Sequence, residues 1–157
     1  MLSFKLITAN LEHQDSLYAE LATVLEAQQT ALVGRDDAAL VDANHRQQLL
    51  VNALAAVEAE RTGLVGGGKR FHLSEWAAQC QDPELRSRLN ALAVTLRARV
   101  RRVLNLTQTN RLLASDGLTH CRHLLNLLGL EEETGYAPRM QQAERVPVAS
   151  LRLDVRA

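Results

Sequence analysis

The sequence predicts an all-α protein. Its expected form is an elongated antiparallel helical bundle, a two-helix hairpin plus one very long C-terminal helix, followed by an extended or flexible tail. Three observations carry this. Aromatic residues make up only 3% of the 157, and the chain is rich in Leu and Ala, which favour helix over sheet. Three prolines and eight glycines are few for this length, and most fall in short clusters suited to loops. Apolar residues recur at steps of three and four through most of the chain, the period of one helix face. The length suits a single domain, with the bundle over residues 1–136 and the tail over 137–157.

Residues 1–7 read as a short lead, after which Thr8 or Asn10 is placed to cap a first helix reaching Val33. Its stripe is Leu11, Tyr18, Leu21, Leu25 and Leu32, widened on one side by Leu17, Val24 and Ala31. Gln14 and Gln28 fall on the same seam, where a glutamine either edges the stripe in solvent or fixes register against another polar group. Gly34 fits a helix C-cap, and one of Asp36 and Asp37 the next N-cap. The second helix is expected over residues 37–61, with Leu40, Ala43, Gln47, Leu50, Leu54 and Val57 on one face. Two helices of similar length joined by a tight turn form an antiparallel hairpin.

Residues 62–73 form a glycine-rich connector. Ser74 is then placed to cap a short helix through Cys80 that carries Trp76, the single tryptophan; Trp76 and Phe71 are expected to pin this connection onto the bundle. Asp82-Pro83-Glu84 supplies an N-cap, a proline at the first helical position and an acid in the first turn. Between there and Gly129 only Gly117 interrupts a pattern that, as one helix, spans roughly 68 Å. Its stripe is Leu85, Leu89, Leu92, Leu96, Val103, Leu106, Leu113, Leu124 and Leu127. In the tail, Pro138 and Pro147 forbid one continuous helix. Leu151, Leu153 and Val155 alternate with Arg152, Asp154 and Arg156, as in a short strand or extended arm.

The net charge is zero, so no global attraction to nucleic acid or membrane is implied. The distribution is uneven, however. Residues 1–60 hold nine acids and three bases, a balance of −6, whereas residues 85–115 hold seven arginines and no acid. Projected at about 100° per residue, Arg86, Arg88, Arg97, Arg99, Arg101, Arg102 and Arg111 flank the leucine stripe on both sides. That placement suits ion pairing with acidic helices packed alongside. It suits a nucleic-acid surface less well, because no aromatic stacking residues accompany the arginines. Cys80 and Cys121 read as buried, reduced thiols. The N-terminal segment has no apolar run of signal length and no stretch reaches membrane-spanning length, so the chain is expected to be cytoplasmic, with no membrane insertion.

No motif argues for an enzyme. Gly63, Gly68 and Lys69 imitate a phosphate-binding loop, but Arg70 stands where Ser or Thr would hold Mg²⁺, and the loop follows a helix instead of a buried strand. His120 and His123 share a helix face but lack further converging metal ligands; His120 lies on the stripe and reads as a core histidine. None of the five histidines is followed by the Lys-Gly pair expected of a phosphotransfer helix. No catalytic residue, metal site or cofactor is implied. What the residues support is the display of a helix face to a partner helix, centred on Leu112, Leu113, Leu124, Leu125, Leu127 and Leu128.

The order and spacing of these elements resemble the FlgN-type flagellar export chaperones. The resemblance covers nearly the whole chain. It rests on a first helix ending in Leu32-Val33-Gly34-Arg35-Asp36, then Leu40 and Gln47-Gln48-Leu49-Leu50. A Gly-rich connector follows, then a very long helix containing Asn110-Arg111-Leu112-Leu113, and finally Thr134-Gly135-Tyr136. It implies a cytosolic, non-enzymatic chaperone whose C-terminal part binds the C-terminal helical segments of hook-associated proteins, those of the hook–filament junction. Binding would prevent premature assembly and aid delivery to the flagellar type III export gate, with Tyr136 at the position of a gate-contacting tyrosine. The alternative is a non-enzymatic helical scaffold that self-associates, or a histidine-phosphotransfer bundle.

Overall fold

The structure is a computed structural model that describes residues 2–65 and 72–129. Among them are four helices: α1 (Leu2–Gly34), α2 (Asp37–Val65), α3 (Leu73–Gln79) and α4 (Pro83–Leu127). The expected hairpin and long helix are both present. Phe71, Lys69, Arg70, Tyr136 and the whole tail from residue 130 lie outside the described residues.

α1 is the common member of the packing. α2 runs antiparallel to it, with Asn10 bonded near Val57 and Gln28 near Asn44. α4 runs parallel to it, with Glu12 beside Arg88 and Leu25 beside Asn110. α2 and α4 do not approach each other: no Cα of one lies within 8 Å of a Cα of the other. α1 must therefore present apolar residues over more than half its circumference. Leu11, Tyr18, Leu21 and Leu25 of the predicted stripe are buried, and so are Leu17, Val24 and Ala31 beside it. From α4, Leu89, Leu96, Val100 and Val103 complete the core.

α1 begins upstream of its predicted caps because Phe4 and Ile7 extend the stripe by two turns. Thr8 and Asn10 are thus interior, buried residues instead of caps. The Thr8 hydroxyl donates to the Phe4 carbonyl at 2.8 Å. The Asn10 amide donates across the hairpin to the Val57 carbonyl at 3.0 Å and to Glu60 at 3.2 Å.

Both seam glutamines are engaged. Gln14 donates to Asn10 and accepts from Arg61. Gln28 donates to Asn44 at 2.6 Å and Gln47 at 2.9 Å, and accepts from Asn110 at 2.7 Å. This single amide therefore joins three helices. At the other end of the hairpin, Arg61 faces Glu58 at 3.5 Å. Burial pushes the Glu58 carboxyl and the Tyr18 phenol up and the Arg61 guanidinium down, with Glu58 and Arg61 partly offsetting each other.

The α1–α2 turn departs from expectation by one residue. Gly34 stays helical and Arg35 takes the left-handed conformation, φ 53°. The Asp36 N–H returns to the Ala31 carbonyl at 3.0 Å, and the Asp36 carboxylate caps α2 through the Ala39 N–H. At the far end, Trp76 of α3 meets Phe4 edge-on, centroids 5.0 Å apart, as expected for an anchor. α3 starts after His72, which makes no side-chain cap bond, so Ser74 lies inside the helix instead of capping it. Cys80 is buried at the α3–α4 joint, and its carbonyl accepts two hydrogen bonds from Arg86, at 2.6 and 3.0 Å. Asp82 caps α4 as predicted, accepting from the Glu84 and Leu85 N–H groups.

Two predictions follow from these local conflicts. Left-handed backbone costs a side-chain-bearing residue about 1 kcal/mol that glycine avoids. Arg35→Gly is therefore expected to raise the thermal midpoint, by roughly 2–4 °C for a chain of this size. Glu58 is held above the ordinary carboxyl value of 4.5. Between that value and its raised folded value, the folded state binds a proton that the unfolded state lacks. The contribution of Glu58 to stability therefore falls as pH rises through this window. Urea unfolding should find the stability of Glu58→Gln, relative to wild type, more favourable at pH 7 than at pH 4.

Candidate partner-binding face

α4 is 45 residues long and α1 33, about 68 and 50 Å. The two start from the same end of the molecule, so α4 outruns its neighbour. Ion pairs from α1 line its covered part: Glu12 to Arg88 at 2.5 Å, Asp15 to Arg99 at 2.6 Å, and Glu26 to Arg102. The pairing that the charge asymmetry predicts is thus present in part: α1 alone supplies the acids, and α2 does not reach α4. The pairs involve only the arginines on one flank.

Asn110 marks the end of cover. It is the last buried residue of α4, and its amide donates to the Leu25 carbonyl at 2.9 Å and to Gln28. Its Oδ1 is buried without a hydrogen-bond partner. A polar side chain in a helical seam fixes register at a cost in stability. Leu113 is half-buried, and every residue over 114–129 is exposed. About 21 Å of helix is thus left uncovered.

The projecting segment keeps its apolar pattern although nothing among the described residues covers it. Leu118, Leu124, Leu125, Leu127 and Leu128 are 45–71% exposed. Projected at about 100° per residue, these five and Leu113 occupy roughly half the helix circumference. Ala114, Gly117 and Cys121 run along its middle. Asp116 and Arg122 fall outside this arc, and His120 is its one titratable imidazole. Of the six predicted leucines, Leu113, Leu124, Leu125, Leu127 and Leu128 share the face. Leu112, 62% exposed, points off its edge. Leu118 belongs to the face and was not among the sequence candidates, although its spacing of seven from Leu125 signals it.

Two expectations fail here for one reason. His120 was expected in the core and Cys121 buried; both are exposed, because α1 ends before reaching them. α4 passes through Gly117 without a break, and a Cβ there would meet nothing within 4 Å. The helix closes at Gly129, whose φ of +66° suits glycine. No group of three or more His, Cys, Asp or Glu side chains that could hold a metal ion occurs among the described residues. No described helix is long and apolar enough to cross a membrane.

An uncovered helix face on a helical body offers a surface on which another helix can lie. In comparison with known families, the family described as FlgN protein matches residues 1–144. The chain belongs to this family, the FlgN-type flagellar export chaperones. No curated protein and no solved structure matches it.

Asn110→Leu takes away the donor that serves Gln28 and the Leu25 carbonyl, and should lower the urea midpoint by an amount equivalent to about 1 kcal/mol.

Proposed function

We propose that this flagellar export chaperone works in the cytoplasm. There it captures the C-terminal helical segments of hook-associated proteins on the projecting end of α4 and carries them to the export gate. The observation behind this reading is the uncovered leucine arc beyond Asn110. Segments that pack together in the hook–filament junction expose apolar stripes before assembly. An amphipathic helix laid on the arc would bury its stripe and the chaperone's together. The small residues along the middle of the arc let a partner backbone come close, and the leucines on either side supply contact area. Residues 130–157 would contribute to capture, and Tyr136 would contact the gate, as the family resemblance implies.

Co-expression and pull-down with hook-associated proteins tests the reading. Leu124→Asp with Leu128→Asp should leave the bundle folded by circular dichroism, because both side chains are exposed, while lowering cargo capture at least tenfold. Deleting residues 130–157 should likewise spare the fold and abolish capture. Full-strength capture by either protein overturns the assignment of the site. A doubled mass in solution that persists with cargo present would favour a self-associating scaffold instead.

A further inference from the structure

α4 carries a second uncovered surface, on a different side from the leucine arc. Three of the seven arginines over residues 85–115 pair with Glu12, Asp15 and Glu26 of α1. Arg97 and Arg101, on the other flank, make no ion pair among the described residues. They stand one turn apart, at i and i+4, where like charges repel. With no acid anywhere over residues 85–115, the helix itself offers no relief. Val94, 68% exposed, and Leu104, 39% exposed, lie at the two ends of the same ridge. The steps 94, 97, 101, 104 follow a three-four-three spacing, which keeps one side of a helix in line over about 15 Å.

In the free protein this ridge combines unrelieved repulsion with apolar side chains left in water. We propose that it docks an acidic helical segment of a partner protein. Two carboxylates one turn apart would meet Arg97 and Arg101, and an apolar residue beyond each would cover Val94 and Leu104. The fold already contains this arrangement once, where the acid-edged α1 lies along the opposite flank of α4. Ridge against ridge of a second copy sets arginine on arginine; a copy offering its acidic hairpin instead would show as a mass of the free chain that rises with concentration, and that result would overturn the proposal. Nucleic acid would satisfy the arginines but leave Val94 and Leu104 uncovered, with no aromatic platform beside them. The ridge ends before the cargo arc begins, so both can be occupied together.

Two measurements on the full chain test this. Arg97→Glu replaces the repulsion with an attraction to Arg101. It is expected to raise the thermal midpoint by about 1–2 °C at low salt, a gain that fades in 1 M salt. An unchanged or lower midpoint means that Arg97 is already satisfied within the fold and overturns the proposal. The second measurement is titration with a labelled helical peptide carrying Glu at i and i+4 and Leu at i−3 and i+7. Its Gln counterpart and a short DNA duplex serve as comparisons. The Glu peptide should bind at least tenfold more tightly than the other two, and Arg97→Glu with Arg101→Glu should abolish that binding while leaving hook-associated cargo capture intact. Equal binding of the Glu and Gln peptides, no binding of either, tighter binding of DNA, or loss of cargo capture in the double variant would each overturn it. Cargo capture is read separately throughout, so failure of the ridge is distinguishable from failure of the chaperone reading.

Discussion

Everything in this structure hangs on α1, because the two long helices it carries do not touch each other. In a compact three-helix bundle each helix shares its burial between two neighbours. Here α2 and α4 each have one long neighbour, and it is the same one. That constraint explains the composition of α1: apolar residues on two adjoining sides, polar groups only where they can bond across the seams, and acids on the edge facing the arginines of α4. It also explains Gln28, which bonds to Asn44 and Gln47 on one side and Asn110 on the other. Hydrogen bonds of this kind add little net stability, but leaving the part-buried ones to Gln47 and Asn110 unmade is costly. Registers other than the observed one are thereby disfavoured.

The consequence for α4 is geometric. Parallel packing from a common end means that any excess length emerges at one place, beside the α1–α2 turn. Trp76 and the Arg86–Cys80 bonds secure the opposite end. The excess cannot be drawn back into the bundle, because the three ion pairs and the Asn110 amide fix the axial position of α4 on α1. The projecting leucines are therefore held in solvent by the packing of the body.

Much of this was legible in the sequence. The helices, their order and the stripes of α1 and α2 follow from spacing, and the Asp82-Pro83 start of α4 from capping chemistry. Periodicity did not, however, say where cover stops. Leu124 and Leu96 belong to the same pattern, yet Leu96 is fully buried and Leu124 is 45% exposed. The difference lies in where α1 ends, which is a property of two helices and not of either stripe. His120 and Cys121 were misplaced for that reason. The side chains of Thr8 and Asn10 suit a helix cap, yet both find their partners inside the fold, in the preceding turn and on α2. Arg35 in a left-handed position beside a glycine has no local signal at all. On the projecting segment, five of the six candidate leucines share one helix face; separating Leu112 from Leu118 requires the helix phase.

Gly117 gives the projecting segment a thermodynamic identity of its own. A glycine in an exposed helix interior costs about 1 kcal/mol relative to alanine, and here no tertiary contact offsets it. The turns beyond it are thus the cheapest part of the helix to open, with amide protection set by local fraying and decoupled from the cooperative unfolding of the body. A bound helix would have to restore that order, so part of the interaction energy goes into straightening the receptor. A helix bound there would be held more weakly than on a rigid face.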